Sequence, residues 1–390
     1  MYEHITRAAL AELLKLQGQT FVSLYMPMER TFPEREQNKV RFKNLLRQLR
    51  EQLEGATAPT EQTLLQQFEA LLNEDELWNT PRSGLAVLGS ENLFKVFSLH
   101  QVVEERVRVD RQPYLQPLLR ISQLAEGFQI LCVTRDAVRL CEGDRHVTHQ
   151  VELHPSVPRN LEEALGTELT DKNQAGFPGG FSRAAEKAGG MTMHEAGGGG
   201  KQEEIDIDRE RYFRAIDKAI TEHHSRPGLP LILAALPRNQ AAYRAVSHNS
   251  QLLDEGIPMD PSLLEAAELR RQAAEIMTRR HSAWLDGILE RYGAAKGKQL
   301  ACESLPEIGE AVYAGRVSLL LVESGRSVPG VVNPQSGAVE LYELEGDAGQ
   351  GGADVLDQLI PRAVQNGAEV VVLPKGMMDG SAGAAAVLRF

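Results

Sequence analysis

Leu229-Pro230-Leu231-Ile232-Leu233-Ala234-Ala235 is a short, unbroken apolar run, as expected of a strand buried on both faces. Helical sequence flanks it, about Asp208 to His223 on one side and about Arg238 to His248 on the other. Further upstream, Gln129 to Thr134 and Ala137 to Cys141 read as two strands joined by a short turn. The alternation of strand and helix around this run predicts a layered α/β domain with a central sheet.

A glycine-rich stretch, Gly176 to Gly200, interrupts that domain and runs into Lys201-Gln202-Glu203-Glu204. Glycine is costly to order and supplies no packing, and a structureless loop beyond about 12–15 residues is usually functional or disordered. The loop is expected over 171–204. A phosphate-loop reading fails at two positions. Glu195 stands where the motif needs glycine, and Gln202 follows Lys201 where it needs serine or threonine. No GxGxxG signature opens the α/β domain either.

At 390 residues the chain exceeds one ordinary core, so two or three domains are expected. Its 42% hydrophobic and 25% charged content is that of a globular protein. No apolar run is long enough to span a membrane, and the opening residues lack the pattern of a signal peptide. Cys132, Cys141 and Cys302 have no paired spacing, which argues against a disulfide framework or structural zinc and fits a reducing cytoplasm. Cys132 and Cys141 lie in strand-like apolar sequence and read as small core residues. A net charge of −12 disfavours indiscriminate nucleic-acid binding.

Before the central domain, an amphipathic helix at Thr6 to Leu16 precedes a strand, Phe21 to Tyr25, stopped by Pro27. A long helix then spans Glu34 to Leu53, with Phe42, Leu45, Leu46, Leu49 and Leu53 at helical spacing. A second helix covers about Glu61 to Leu72. Ser83 to Leu88 and Leu93 to Phe97 form a hairpin on the turn Gly89-Ser90-Glu91-Asn92. This is an α+β pattern over 1–124. After the middle domain, 125–256, a long helix occupies Pro261 to about Tyr292. Beyond it, helix Leu305–Tyr313, strand Val317–Val322, a hairpin near Val331–Glu343, helix Val355–Asn366 and strands Glu369–Leu373 and Ala385–Phe390 predict an α/β/α domain. The segment 257–390 is thus a connecting helix and a third domain.

The long N-terminal helix also carries Arg35, Lys39, Lys43, Arg47 and Arg50 at intervals that place them on one side. This field is opposite in sign to the whole chain. It reads either as a phosphate-contacting face, where each cation gains from counterion release, or as a solvated face beside the apolar stripe. Glu203, Glu204, Asp206, Asp208 and Glu210 crowd the start of the helix after the glycine loop, where carboxylates suit the dipole. His146, His149 and His154 are spaced too loosely to define a metal set, and His223-His224 suit a helix end. His194-Glu195 lacks the second histidine of a zinc protease. Neither a metal ligand set nor a catalytic residue is assigned.

Several motifs resemble the bacterial members of the archaeo-eukaryotic release factor superfamily, in particular family three. They are Val22-Ser23-Leu24-Tyr25-Met26-Pro27, then the glycine loop with Lys201-Gln202-Glu203-Glu204 and Arg211-Tyr212-Phe213-Arg214. Pro230-Leu231-Ile232-Leu233-Ala234 with Asn239, Ala311-Val312-Tyr313-Ala314-Gly315-Arg316-Val317 and the closing Gly383-Ala384-Ala385-Ala386-Val387-Leu388-Arg389-Phe390 follow in order. The resemblance implies three domains: N-terminal α+β, a middle Rossmann-like or ribonuclease-H-like α/β domain, and a C-terminal α/β/α domain like the kink-turn-binding ribosomal proteins.

The resemblance further implies a ribosomal partner, with contacts to ribosomal RNA and the A site, and delivery by a translational GTPase. It calls for no small-molecule cofactor and no membrane. In release factors an Asn-Ile-Lys-Ser tetrapeptide meets the decoding centre, and Gln37-Asn38-Lys39-Val40 corresponds only loosely. A Gly-Gly-Gln loop there helps to cleave the peptidyl-tRNA ester. Here Gly179-Gly180 precedes Phe181, and Gly199-Gly200 precedes Lys201, with Gln202 one place late. The expected activity is therefore that of a tRNA-mimicking factor in rescue, hibernation or surveillance. Its basic helix would bind RNA, and a tip of Gly197, Gly198, Gly199, Gly200, Lys201 and Gln202 would contact the ribosome. Peptidyl-tRNA hydrolysis by that loop is the alternative. A nuclease using Asp136, Asp206 and Asp208 is a third reading.

Overall fold

The computed structural model describes residues 7–16, 20–53, 59–80, 82–123, 127–166, 199–225, 228–342, 353–378 and 382–390. The chain begins with α1 (Arg7–Leu13), β1 (Phe21–Pro27), α2 (Gln37–Leu53), α3 (Pro59–Ala70) and α4 (Asp75–Asn79). Next come β2 (Gly84–Ser90), β3 (Leu93–Leu99), β4 (Arg106–Asp110) and α5 (Gln116–Gln123). The middle holds β5 (Phe128–Val133), β6 (Val138–Gly143), β7 (Thr148–Val151), α6 (Leu161–Leu165), α7 (Gly199–His223), β8 (Leu231–Ala234) and α8 (Pro237–Val246). The long α9 (Ala266–Gly297) leads to β9 (Ala301–Cys302), α10 (Leu305–Tyr313), β10 (Val317–Glu323), β11 (Gly330–Val332) and β12 (Val339–Leu341). α11 (Val355–Gln365), β13 (Glu369–Leu373) and β14 (Ala384–Leu388) follow.

These elements form two units, one of Met1–Leu124 with His281–Phe390, the other of Ala125–Arg280. One boundary between the units falls after residue 124. Residues through Arg280 group with the middle of the chain, and those from His281 onward with residues 1–124. The helix α9 contributes to both units because its apolar positions continue past Arg280. Leu269, Ala273 and Ile276 are buried in one core, Leu285 and Ile288 in another.

In the first unit an antiparallel sheet runs in the order β3-β2-β1-β4. Alternate residues of β1 and β2 serve opposite faces, as the two-residue period of a strand requires. Val22, Leu24, Met26, Leu85 and Val87 meet the apolar stripe of α2, together with Leu64, Phe68 and Trp78. All five predicted stripe residues, Phe42, Leu45, Leu46, Leu49 and Leu53, are buried. The opposite positions, Tyr25, Ala86, Leu88 and Phe97, join a core that also contains α5, α10 and α11 residues. Burial on both faces explains why β1 is apolar at all positions but Ser23, itself buried.

The C-terminal sheet of the same unit has the order β13-β10-β14-β9, with β10 and β13 parallel. α10 and α11 cover one face through Ile308, Val312, Leu359 and Ile360, while the second part of α9 covers the other. Helices thus cover both faces of this sheet. Where α10 meets the β11–β12 hairpin, two glycines touch: a Cβ on Gly309 would stand 2.3 Å from the Gly337 carbonyl oxygen. Gly337 also has φ +78°, so its turn favours glycine on conformational grounds too.

In the second unit the sheet order is β7-β6-β5-β8, with β5 and β8 parallel. The decisive apolar run is its β8 strand, and all four residues are buried. Leu131, Val133, Leu231 and Leu233 face Tyr212, Phe213, Ile216, Ile220 and Tyr243 of α7 and α8. Phe128, Ile130, Cys132, Ile232 and Ala234 face the first part of α9. Helices thus cover both faces of this mixed sheet.

Candidate functional site

Two places bear on function, each within one unit. The first is the basic side of α2. Arg35 precedes the helix in a 3-10 turn, and its guanidinium donates to the Asn79 carbonyl at 3.0 Å. Lys39 pairs with Asp75 at 3.6 Å, and Arg50 with Glu69 at 2.5 Å. Lys43 and Arg47 are exposed, with no ion pair among the described residues. Exposed pairs of this kind contribute only about 0–1 kcal/mol, so an incoming phosphate can compete for Lys39 and Arg50.

Asn38 departs from the decoding-motif correspondence. It is wholly buried, and its side-chain amide donates to the Glu29 carbonyl at 2.9 Å while its oxygen accepts from the Glu29 N–H at 2.9 Å. The residue ties the end of β1 to α2. Its side chain is unavailable to a nucleic acid, whereas the neighbouring Val40 is 59% exposed.

The second place is the base of the glycine-rich segment, at the edge where β5 and β8 end. The carbonyl of Thr134, just past β5, accepts from the Tyr212 hydroxyl of α7 at 3.1 Å. The next carbonyl, of Arg135, accepts from the first N–H of α6 at 3.1 Å. Asn160 caps α6 by accepting from the Glu163 N–H at 2.8 Å, and Gly166 ends that helix at φ +51°. At the same edge Asp206 accepts from Arg209 and from Arg238, both at 2.7 Å, joining the early part of α7 to α8. Apolar Ile205, Ile207 and Leu236 are exposed here, each by more than two fifths.

The helix α7 starts at Gly199, earlier than expected. Gly199, Gly200, Lys201 and Gln202 therefore open a helix instead of ending a loop. The reason is local: Lys-Gln-Glu-Glu are good helix formers, and extending an existing helix by a few residues needs no new nucleus. The seven residues before Asp206 carry the helix about 10 Å beyond the Asp206–Arg238 contact. Gly197, Gly198 and the rest of the predicted loop through residue 198 lie outside the described residues.

The remaining sequence candidates separate. The ring of His154 stacks on that of His223 at 3.7 Å, and the His154 N–H donates to His224 Nε2 at 3.1 Å. Burial, with the neighbouring imidazoles, lowers the His224 pKa. His149 lies on β7. Asp206 is committed to two arginines. Among the described residues no three His, Cys, Asp or Glu side chains stand where they could hold a metal.

A buried ionic cluster in the first unit was not anticipated. Arg108 of β4 donates through Nη2 to Asp354 Oδ2 at 3.1 Å and through Nη1 to Asp357 Oδ2. Asp354 also accepts from Ser327 Oγ at 2.6 Å, from the Val328 N–H at 3.0 Å and from the Leu356 N–H at 2.8 Å. Gln116 donates to Asp357 at 3.0 Å, and Arg108 lies over the Tyr114 ring at 5.3 Å. Burial outweighs the attraction of Arg108 and pushes the Asp357 carboxyl up to about 8. The signal available in sequence was the alternation Arg106-Val107-Arg108-Val109, whose period of two marks β4; the partners lie too far along the chain to be paired by pattern.

With this geometry in place, comparison with known proteins gives the class. Residues 127–316 match the model of bacterial archaeo-eukaryotic release factor family 3. That segment, which holds the whole glycine region and its base, is similar to this family of release-factor relatives. Among solved structures it is similar to an archaeal translation termination factor, aRF1, at 16% identity over 99% of each chain with a TM-score of 0.24. It is also similar to archaeal Pelota, from a structure of ribosome-bound Pelota and ABCE1, at 12% identity, 100% and 95% coverage and a TM-score of 0.40. Dom34 of S. cerevisiae, a translation termination-like factor, matches at 11% identity, 77% and 74% coverage and a TM-score of 0.35. These scores are too low to carry an argument, so the likeness to the family rests on the match over 127–316. No curated protein matches the chain. No helix among the described residues is long and apolar enough to cross a membrane.

Proposed function

We propose that this protein is a ribosome-associated translation factor that occupies a tRNA-like position and silences, rescues or surveys ribosomes without cleaving peptidyl-tRNA. The observation that carries the reading is that the family segment, 127–316, contains a long glycine-rich stretch without the Gly-Gly-Gln triplet. A glycine arm gives reach, and the absent glutamine at its tip removes the group that would help to place a hydrolytic water. The base of the arm, tied by Tyr212, Asp206 and Arg238, supplies a fixed platform. The side of α2 with Lys43 and Arg47 supplies cations for ribosomal RNA. In this reading the middle segment is the Rossmann-like or ribonuclease-H-like domain, and the C-terminal α/β/α layer corresponds to the kink-turn-binding domain. The partners are the ribosome and, for delivery, a translational GTPase.

The test is co-sedimentation of the full chain with 70S ribosomes, wild type against K43E/R47E, across growth and stress conditions. Association weakened by the charge reversal is expected; no association under any condition overturns the reading. A parallel assay follows labelled peptide on ribosomal complexes. Peptide release that disappears on deleting Gly197–Gln202 would replace the proposal with peptidyl-tRNA hydrolysis.

A further inference from the structure

His154, His223 and His224 meet at one point of the second unit. His223 is the last residue of α7, His224 follows it, and His154 lies in the connection from β7 to α6. The His154 and His223 rings stack with centroids 3.7 Å apart and planes 13° from parallel. Beside the stack, the His154 N–H donates to His224 Nε2 at 3.1 Å. The Ser156 N–H in turn donates to His154 Nδ1 at 3.2 Å, and Ser156 Oγ lies 2.8 Å from the same nitrogen. From the sheet, Gln129 of β5 donates to the His224 carbonyl at 2.9 Å and to Glu142 of β6 at 3.0 Å. The connection thus reaches the end of α7 through imidazoles, before Val157 enters the core that holds Tyr212 and Phe213.

Two of these contacts fix a protonation state. A backbone N–H can only donate, so His224 Nε2 and His154 Nδ1 must each present a lone pair. A proton on either nitrogen turns an acceptor into a donor that faces another donor. Protons on both His154 and His223 would also set two cations face to face at 3.7 Å. Three features act in the opposite direction. Glu142 favours the charged form of His224, the Glu222 carboxylate lies 3.8 Å from His223 Nε2, and the dipole at the end of α7 favours cations. Burial and the two neighbouring imidazoles outweigh Glu142 and hold the His224 pKa below its ordinary 6.5.

We propose that His154 and His224, with His223 stacked beside them, form a proton-operated clasp between the β7–α6 connection and the end of α7. The clasp is closed while the rings are neutral and is released on acidification. The closed form binds fewer protons than the open one. Its contribution is therefore fully present above about pH 6.5 and is lost as the pH falls below that value. Opening stops at Val157, which is buried, and at Arg159, whose carbonyl accepts from the Val138 N–H at 2.9 Å. Neither of those anchors involves an imidazole. The clasp regulates the second unit by itself and needs no ribosome, so its failure and that of the functional reading are separate results.

The experiment is NMR of the full chain labelled with nitrogen-15, with amide hydrogen exchange corrected for the intrinsic effect of pH. At about pH 8, His224 should carry its proton on Nδ1 and His154 on Nε2. Below about pH 6.5 the His154, Ser156 and Val157 amides should lose protection several-fold, while Ile130 and Leu131 of β5 keep theirs. In His224→Gln, which cannot titrate and still offers an acceptor oxygen, that loss should shrink. Protection of His154 and Ser156 that does not change with pH overturns the proposal. So do the opposite tautomers at about pH 8, loosening of β5 in step with the connection, or a His224→Gln profile identical to the wild type. The wild-type titration decides the matter even if the variant does not fold.

Discussion

Arg108 and Asp354 lie 246 positions apart in the chain, yet their side chains pair at 3.1 Å with almost no exposure to solvent. One partner comes from β4 and the other from the N-cap of α11, so the pair fastens the beginning of the chain to its end. Such a buried pair is weak evidence of stability in itself, because desolvation offsets the attraction. Losing one member is different.

Arg108→Met leaves Asp354 and Asp357 buried without their cation. The expected cost is about 3–5 kcal/mol, concentrated in the first unit. Urea unfolding followed by hydrogen exchange should show faster exchange at β4 and α11, with the strands of the second unit unaffected. Equal loosening of both units would contradict the assignment of this cluster to the first.

The pH dependence follows from Asp357. Its folded pKa of about 8 stands above the ordinary 3.8, so the folded state holds a proton that the unfolded chain releases. The stability it contributes is fully present below about pH 4 and is lost as pH rises through about 8. Between pH 6.5 and 9 the melting temperature of the wild type should fall more steeply than that of Asp357→Asn, which stays neutral. Parallel slopes for the two proteins would remove Asp357 as the titrating group.

Gly309→Ala tests the contact between α10 and the hairpin. A methyl group there would press on the Gly337 carbonyl oxygen at 2.3 Å, and backbone cannot swing aside as a flexible side chain can. A loss of about 1–3 kcal/mol is expected from overpacking, although alanine favours an exposed helix over glycine by about 1 kcal/mol. A gain in stability by thermal denaturation would show that the hairpin yields.

The α2 face separates packing from binding. Reversing Lys43 and Arg47 touches no buried contact, so stability should change by less than about 0.5 kcal/mol. Affinity for ribosomal RNA should fall, and each lost phosphate contact should flatten the dependence of log affinity on log salt by about 0.7–0.9. Asn38→Ala should do the reverse. It removes two hydrogen bonds to Glu29 and costs about 1–3 kcal/mol, with little effect on the salt slope.

What could be read in advance was whatever repeats locally. The stripe Phe42 to Leu53, the helix Leu305–Tyr313 and the strand Glu369–Leu373 lie where periodicity places them. The two-residue β9 carries too little pattern to notice, and β4 is masked by its charges until Arg108 finds its carboxylates. Charge spacing on α2 located the cations but not their partners: Glu69 comes from α3, and Asp75 and the Asn79 carbonyl from α4. The grouping of residues 1–124 with 281–390 was equally hidden, since no local signal says which apolar faces will share a core.

That grouping has a consequence for the protein while it is being made. The sheet of β1 to β4 leaves the ribosome early, but the face bearing Tyr25, Leu88 and Phe97 is completed by α10 and α11, which emerge about 200 residues or more later. At about 5–20 residues per second, the wait lasts on the order of tens of seconds. Throughout it the nascent N-terminal sheet carries an uncovered apolar face, and the buried Arg108 awaits both its counter-charges. Co-translational chaperones would meet this protein on that face, and truncation before α11 should send it to proteolysis even though the inserted second unit has every strand it needs.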